Sequence, residues 1–533
     1  MFFATLLRQL APEHEIVVFE RNRPDNTFGF GVVFSDATLS NLGDADPVLT
    51  ERLGEQGQSW EQIEVRAKGE VLRCGGNGMA AIARRQLLDL LYRRAAEVGV
   101  VLRFQKNIVQ LSDLQGFDLV VGSDGANSMV RNVLSKSFGP AIHQASAKFI
   151  WFGTTYRFRG LTFLFENSPY GVFAVHGYPI DENTGTFIVE TDEETWAAAG
   201  MDRFDVAQPP GPSDIGSKEY LESVFSQQIE GCNLLVNNSR WASFRTVRNR
   251  AWHSGNVVLL GDSAHTAHFS VGSGTKMAME DGAALAFALS RPGMELEEAL
   301  DQYEKQRRPS VEGIQGSAAP SLSWWENFGS YYRVMEPAQF AYHFFTRAIS
   351  GDRVRRRDAE FVNEVARWWE RKHGADPLHS PMELSGGLSG MTAVSRLVLV
   401  REISAGLAEA EFLTEQGRQT LLLESSESPA SRSNDVALIS IPSSFSGYES
   451  ARGRLDQVLR RKPALVGISG GTVLERALLS ERARLSANVP SLVIEDELDI
   501  DAALTTVLSG RADFVGGRKG PAFTEASQWP TEP

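Results

Sequence analysis

The sequence predicts a mixed α/β and α+β protein: a dinucleotide-binding βαβ framework, an inserted mixed β-sheet and a C-terminal α/β unit. Three observations predict it. Residues 2–10 have helical spacing and lead into EIVVFE (15–20), a buried strand that ends in an acid. Residues 146–190 alternate apolar and polar residues in the runs KFIWFGTTYRF, TFLFEN, GVFAVHGYP and TGTFIVET, the period of an antiparallel or mixed sheet. Beyond residue 385, TLLLES, DVALISIP, KPALVGIS, PSLVIED and ADFVGG are short apolar strands mostly separated by helical stretches, as in a small parallel α/β unit.

Domain boundaries follow from these changes of period. The framework takes 1–145, with a segment near 45–80 contributed to the inserted sheet, and resumes at 246–375 with a helical region. The inserted sheet takes 146–245 and the C-terminal unit 385–533, after the Gly-, Pro- and Ser-rich stretch 374–392.

In chain order, the opening helix, strand and acid Glu20 form the second half of a dinucleotide-binding βαβ unit, without its first strand and G-x-G-x-x-G turn. Two readings stay open: a start placed about a dozen residues late, or a fold that begins differently. The former is expected, since a βαβ unit without its first strand leaves the sheet open. A helix is expected over 84–98 and a strand at FDLVVG (117–122), before Ser123-Asp124-Gly125. Residues 206–217 read as a surface loop. Helices are expected at 276–290, 296–306 and over much of 330–372, the last interrupted by the basic run Arg353 to Arg357.

Composition excludes several functions. A net charge of −14 argues against nucleic acid and anionic membranes as partners. No apolar span approaches the ~18 residues of a transmembrane helix. Cys74 and Cys232 lie too far apart for a disulfide framework or a zinc site, which fits a reducing cytoplasm and leaves no metal expected.

The most informative run is GDSAHTAHFSVGSGTKMAMED (261–281). An apolar strand ends at Asp262, where a carboxylate can hold a ribose or ribitol hydroxyl. The turn Gly272-Ser273-Gly274-Thr275 opens a helix, where amides freed by glycine can approach an oxygen-rich ring or phosphate. His265 and His268 lie within the run. Asp124-Gly125 alone is an ordinary turn; beside this run it reads as a cofactor contact. Gly467 to Gly471 fits G-x-S-x-G between a strand and a helix, but no histidine follows His379 to complete a hydrolase triad. Arg245, Arg248 and Arg250, and the run Arg353 to Arg357, could bind phosphates or form solvated faces. Trp324, Trp325, Tyr331 and Tyr332 could wall a pocket, though core packing is expected.

Taken together, the strand ending in Glu20, DLVVGSDGANSMVR (118–131) and GNVVLLGDSAHTAHFSVGSGTKMAMED (255–281) resemble the single-component FAD-dependent aromatic hydroxylases related to para-hydroxybenzoate hydroxylase, over about residues 1–370. The resemblance implies an FAD-binding Rossmann-like domain. Glu20, with Arg21 beside it, would bind the adenosine ribose, Arg84 would reach the cofactor, and Asp124 and Gly125, with Ser128 and Arg131, would form a motif tied to FAD and the nicotinamide nucleotide. Asp262 would hold the ribitol, and Gly272, Ser273, Gly274 and Thr275 the flavin pyrimidine ring, with FGFGVVFS (28–35) beside the isoalloxazine. It implies NADH (or NADPH) and O₂ as co-substrates, and hydroxylation through a flavin C4a-hydroperoxide. His265 and His268 are expected to be structural, with His268 the candidate for a catalytic role, and Arg245 and Arg248 are the candidate substrate contacts.

The wider family has two prolines after its GDAAH-like run, where this chain has Ala267-His268-Phe269-Ser270. That version is most similar to the hydroxylases of aryl-coenzyme A thioesters. It implies an aromatic acyl-CoA substrate, salicylyl-CoA hydroxylated at C5 to 2,5-dihydroxybenzoyl-CoA (gentisyl-CoA), with 2-aminobenzoyl-CoA or a tryptophan or indole substrate as alternatives. Segments 464–472 and 489–521 resemble the last strands of the old-yellow-enzyme barrel. The C-terminal unit has only about 150 residues where a full eight-stranded barrel takes about 250. A remnant without reductase activity is therefore expected. The rival from another class is a non-catalytic flavoprotein or scaffold.

Overall fold

The structure, a computed structural model, describes residues 1–519 apart from 207, 210, 405, 426–434 and 445, and apart from the side chains of 37 and 519. Gly520 and Pro521 of the barrel-like segment, and two positions of the 206–217 loop, therefore lie outside the described residues. The chain forms two compact units, Met1–Gly329 and Ser330–Pro533.

In the first unit α1 (Phe2–Leu10) leads to β1 (Val17–Phe19), followed by β2 (Gly31–Ser35), β3 (Gln58–Trp60), β4 (Ile63–Ala67), β5 (Glu70–Cys74) and β6 (Met79–Ala83). Next come α2 (Arg84–Glu97), β7 (Val101–Arg103), β8 (Val120–Gly122), β9 (Pro140–Thr154), β10 (Leu161–Ser168), β11 (Gly171–Pro179) and β12 (Gly185–Thr191). β13 (Leu234–Leu235), β14 (Ala242–Asn249), β15 (His253–Ser254) and β16 (Val257–Leu259) precede α3 (Gly274–Leu289) and α4 (Leu296–Val334).

The expected βαβ half is present: β1 pairs in parallel with β7, Val17 opposite Val101. β8 pairs in parallel with β16, which ends just before Gly261 and Asp262. These stay two small sheets, of two and three strands, and among the described residues β1 and β8 each have a single strand neighbour. α1 buries Phe2, Leu6 and Leu7 against Met279 and Ala286 of α3. Gly282 permits this approach, since a Cβ there would sit 3.2 Å from the Phe3 amide nitrogen.

The inserted sheet has eight strands in the order β13-β9-β12-β11-β10-β4-β5, with β14 on β9. It draws strands from residues 63–74 as well as 140–249. One face packs Phe152, Leu164, Val175 and Phe187 on Leu221, Phe225 and Trp241. Phe163 and Phe165, on alternate positions, meet Trp325 of α4. With both faces covered, every residue of β12 is buried.

In the second unit, helices span Pro337–Phe345, Gly351–Arg357 and Ala359–His373. The basic run does not interrupt the helical region as expected; it forms a helix of its own, with Ser350 Oγ accepting from the Arg353 amide. β17 (Leu397–Ser404), β18 (Leu407–Thr414), β19 (Gly417–Ser425), β20 (Val436–Ile441), α5 (Gly447–Leu459), β21 (Leu465–Gly470), α6 (Val473–Glu481), β22 (Ser491–Glu497), α7 (Ile500–Leu508) and β23 (Phe514–Lys519) follow. The five strands read from the sequence are β19 to β23. Together with β17 and β18 they close a ring, each pairing with the next and β23 with β17. The unit is thus a closed seven-stranded barrel rather than an open fragment. Alternate residues of all seven strands, among them Val400, Ala410, Leu423, Leu438, Leu465, Ile494 and Phe514, fill one apolar core. The intervening Ile439, Ile441, Val466 and Ile468 face Ala451 and Leu455 of α5 and Leu479 of α6.

Candidate flavin site and an adjacent acid–histidine network

The β16–α3 connection builds the rim of the site. Gly261 turns with φ +65° and Asp262 follows, its side chain open to solvent although the protein crowds it. Desolvation raises the Asp262 pKa, opposed by His265 and Arg84 and reinforced by Asp281. An acid both solvated and crowded lies in a concave site. Arg84 opens α2 and donates from Nη1 to the Phe28 carbonyl at 2.8 Å. Its guanidinium lies 5.1 Å from the centre of the Trp151 ring, and desolvation lowers its pKa, against pulls upward from Tyr178 and Asp262.

Gly272 has φ +62°, a left-handed conformation that favours glycine, and a Cβ on Gly272 or Gly274 would meet no protein atom within 4 Å. α3 starts at Gly274 without a side-chain cap, and among the described residues the buried Ser273 Oγ has no hydrogen-bond partner. Unsatisfied first-turn amides, an orphaned hydroxyl and open space in front of a helix dipole suit the oxygen-rich edge of a flavin. These residues fit FAD.

Of the other expected cofactor residues, the two acids Glu20 and Asp124 are engaged in local structure. Glu20 Oε1 accepts from the Asn22 amide at 2.7 Å, while Arg21 is exposed. Asp124 Oδ2 accepts from the amides of Met129 (2.7 Å) and Val130 (3.2 Å) at the start of helix Met129–Val133. Gly125 has φ +84° and no atom within 4 Å of a Cβ. Buried Arg131 donates to the carbonyls of Ser263 (3.2 Å) and Ala126 (2.6 Å), tying the 118–131 motif to the 261–281 run.

The two histidines of the run differ. His265 Nε2 lies 2.7 Å from Asp281 Oδ2, and Asp281 also takes the Arg307 Nε–H at 2.8 Å and the Gly261 amide at 3.3 Å. His268 Nε2 lies 3.3 Å from Glu190 Oε1, whose other oxygen is 2.6 Å from His176 Nε2. His268 Nδ1 is 2.8 Å from Ser270 Oγ, itself 2.8 Å from Ser321 Oγ. Burial alone would raise the Glu190 carboxyl; His268 and His176 outweigh it and hold it at about 2. Half-buried Phe149, Trp151 and Phe244 pack around Phe269, the next residue along.

Sequence reading missed Asp281, Glu190, His176 and Ser270. For Glu190 the available signal was an acid at the end of an otherwise apolar strand, TFIVET. Arg245 and Arg248 do not meet each other: Arg245 Nη1 donates to Asn127 Oδ1 at 2.7 Å and Arg248 Nε to Gln315 Oε1 at 3.0 Å. Trp324 and Trp325 are core residues. In the barrel, Ser469 Oγ lies 3.1 Å from Ser440 Oγ of the neighbouring strand, with no histidine in its chain segment.

The family described as FAD binding domain matches residues 36–317. The salicyloyl-CoA 5-hydroxylase of a Streptomyces species is 50% identical over 97% of this chain and 98% of its own length. The chain belongs to the FAD-dependent aromatic monooxygenases. It is 36% identical to the 3-hydroxy-4-methyl-anthranilyl-[aryl-carrier protein] 5-monooxygenase of Streptosporangium sibiricum, over 61% of this chain and 85% of that protein. Among solved structures, 2-methyl-3-hydroxypyridine-5-carboxylic acid oxygenase matches with a TM-score of 0.50 and 19% identity, covering 65% of this chain and 94% of that one, which shows a common fold. No helix among the described residues is long and apolar enough to cross a membrane.

Proposed function

We propose that this flavoprotein hydroxylates salicyloyl-CoA at C5, para to the ring hydroxyl, giving 2,5-dihydroxybenzoyl-CoA with consumption of NADH and O₂. The observation that carries the reading is the 50% identity to a salicyloyl-CoA 5-hydroxylase over 97% of the chain, an alignment that includes the C-terminal unit. A second reading, an aminobenzoyl thioester, is favoured by the likeness to an anthranilyl-carrier monooxygenase. Action in the cytoplasm fits two free cysteines.

FAD, when bound, supplies the redox chemistry that activates O₂. The chain's own residues hold and surround it. Asp262 would take a ribitol hydroxyl, Glu20 and Arg21 the adenosine end, and Asp124 and Gly125 the neighbouring part of the cofactor. The Gly272–Thr275 amides and the positive end of α3 would stabilise negative charge on the flavin ring as it is reduced. Arg84 would fix the Phe28–Phe30 segment beside it. The half-buried rings of Phe149, Trp151, Phe244 and Phe269 would seat the substrate ring and exclude water. Arg245 and Arg248 would meet the coenzyme A phosphates.

The proposed domain division is 1–145 with 246–375 for FAD, 146–245 for substrate and 385–533 for the barrel. The barrel would descend from an old-yellow-enzyme barrel and have no reductase activity. Supporting this, Arg476 donates to the carbonyls of Gly470 and Gly471 at the end of β21 and pairs with Glu495, so an internal ion pair occupies that rim.

The test is NADH oxidation with product identification, using salicyloyl-CoA, 2-aminobenzoyl-CoA and free salicylate. Salicyloyl-CoA should give one hydroxylated thioester per NADH. Faster turnover of free salicylate would remove the coenzyme A thioester from the account.

A further inference from the structure

We propose that Ser270, His268, Glu190 and His176 form a proton-holding relay that ionises the ring hydroxyl of the substrate, with Ser270 as the group that meets it. This rests on the hydroxylase reading above.

The relay has an internal direction. His268 Nε2 faces the Glu190 carboxylate at 3.3 Å and Nδ1 accepts from the Ser270 amide at 3.4 Å, so the proton of the neutral ring sits on Nε2. Nδ1 is then the acceptor, 2.8 Å from Ser270 Oγ. A hydroxyl hydrogen-bonded to an imidazole whose far nitrogen faces a carboxylate is the arrangement that lets a serine pass a proton inward. The step balances without a redox partner. The substrate O–H proton goes to Ser270 Oγ as the Ser270 proton goes to His268 Nδ1, leaving a phenolate and an imidazolium beside Glu190. A phenolate is the more electron-rich ring for electrophilic oxygen transfer at the para carbon.

The groups facing His268 come from every element around it: Glu190 from β12, with His176 of β11 behind it, Phe244 from β14, and Ser321 of α4 through Ser270. The titratable groups joined to His268 by these contacts are Glu190 and His176. His176 lies on the same sheet face as Glu190, which pairs with Ala174 two residues away. It occupies the second carboxylate oxygen at 2.6 Å and so fixes which oxygen His268 uses. Glu190 and His176 are positioning residues. Ser270 is half-buried and stands two residues before Gly272, where the backbone opens onto the flavin rim. Purely local capping would explain the His268–Ser270 contact alone, but not a serine, two histidines and a carboxylate drawn from three chain segments into one line.

The test follows ionisation of bound salicyloyl-CoA by ultraviolet difference absorbance across pH in the FAD-loaded protein, for wild type, S270A, S270T and E190Q, with product formation measured alongside. Wild type should ionise the bound phenol at a lower pH than the free thioester. S270A should return that midpoint toward the free value and slow hydroxylation ~100-fold, while S270T, which keeps the hydroxyl, should restore both. E190Q should shift the midpoint in the same direction as S270A. If E190Q does not fold, the S270A and S270T pair decides. Unchanged midpoints in S270A, with wild type still making product, would overturn the relay. A wild type that makes no hydroxylated product would instead overturn the substrate reading.

Discussion

Two buried acid–histidine pairs flank the same run of chain, and they are built for different work. Asp281 holds His265, but it also holds Arg307 and the Gly261 amide, so a permanent cation balances its charge. Glu190 holds His268 and His176, so the groups that hold its pKa down are titratable. An arginine-balanced carboxylate locks a fold, because guanidinium does not give up its proton. A histidine-balanced carboxylate can follow a proton on and off its partners. The first pair pins the β16–α3 connection that carries Asp262; the second sits beneath the half-buried aromatic rings.

The largest effect should fall on the arginine-balanced side. D281A leaves buried His265 without its acid and Arg307 paired to Glu280 but not to Asp281, and should cost about 3–5 kcal/mol in urea denaturation. An equal loss of stability from S270A would erase the contrast. S270A should instead cost only about 1 kcal/mol of stability while slowing turnover as described above.

The pairs should also differ in acid. The folded Glu190 carboxyl sits near 2, below its ordinary value of 4.5. It stabilises the fold fully above 4.5, and that contribution is lost as pH falls through 2, because the unfolded chain takes up the proton first. E190Q should flatten the stability curve between those limits; a curve parallel to wild type there would contradict the assignment. At the proposed flavin rim, G272A has room for its methyl but must adopt φ +62°. It should lose about 1–2 kcal/mol and bind FAD more weakly in a fluorescence titration. R248A should have the smallest effect, raising KM for salicyloyl-CoA about fivefold with kcat unchanged.

The same contrast explains what could be read in the sequence. Asp262 and Gly272 to Thr275 were legible because acid, glycine turn and helix start are consecutive and each residue type has a local reason. Glu190 was not, because its partners lie on β11 and on the loop before α3, and only strand register and sheet burial bring them together. Burial on both faces of the sheet also hid which side of TFIVET mattered. In the barrel, the parallel strands β20 to β23 stood out as apolar runs between helices. The antiparallel pair β17 and β18 carries exposed charges such as Arg401 and Glu402, and its role in closing the ring appears only through pairing with β19 and β23.

The most direct test of the account is mass spectrometry of the product formed from salicyloyl-CoA, NADH and oxygen-18-labelled O₂ by the FAD-loaded protein. The account predicts 2,5-dihydroxybenzoyl-CoA with one labelled atom, in the new hydroxyl at C5. NADH consumption that yields only labelled hydrogen peroxide, or a new hydroxyl without label, would contradict it.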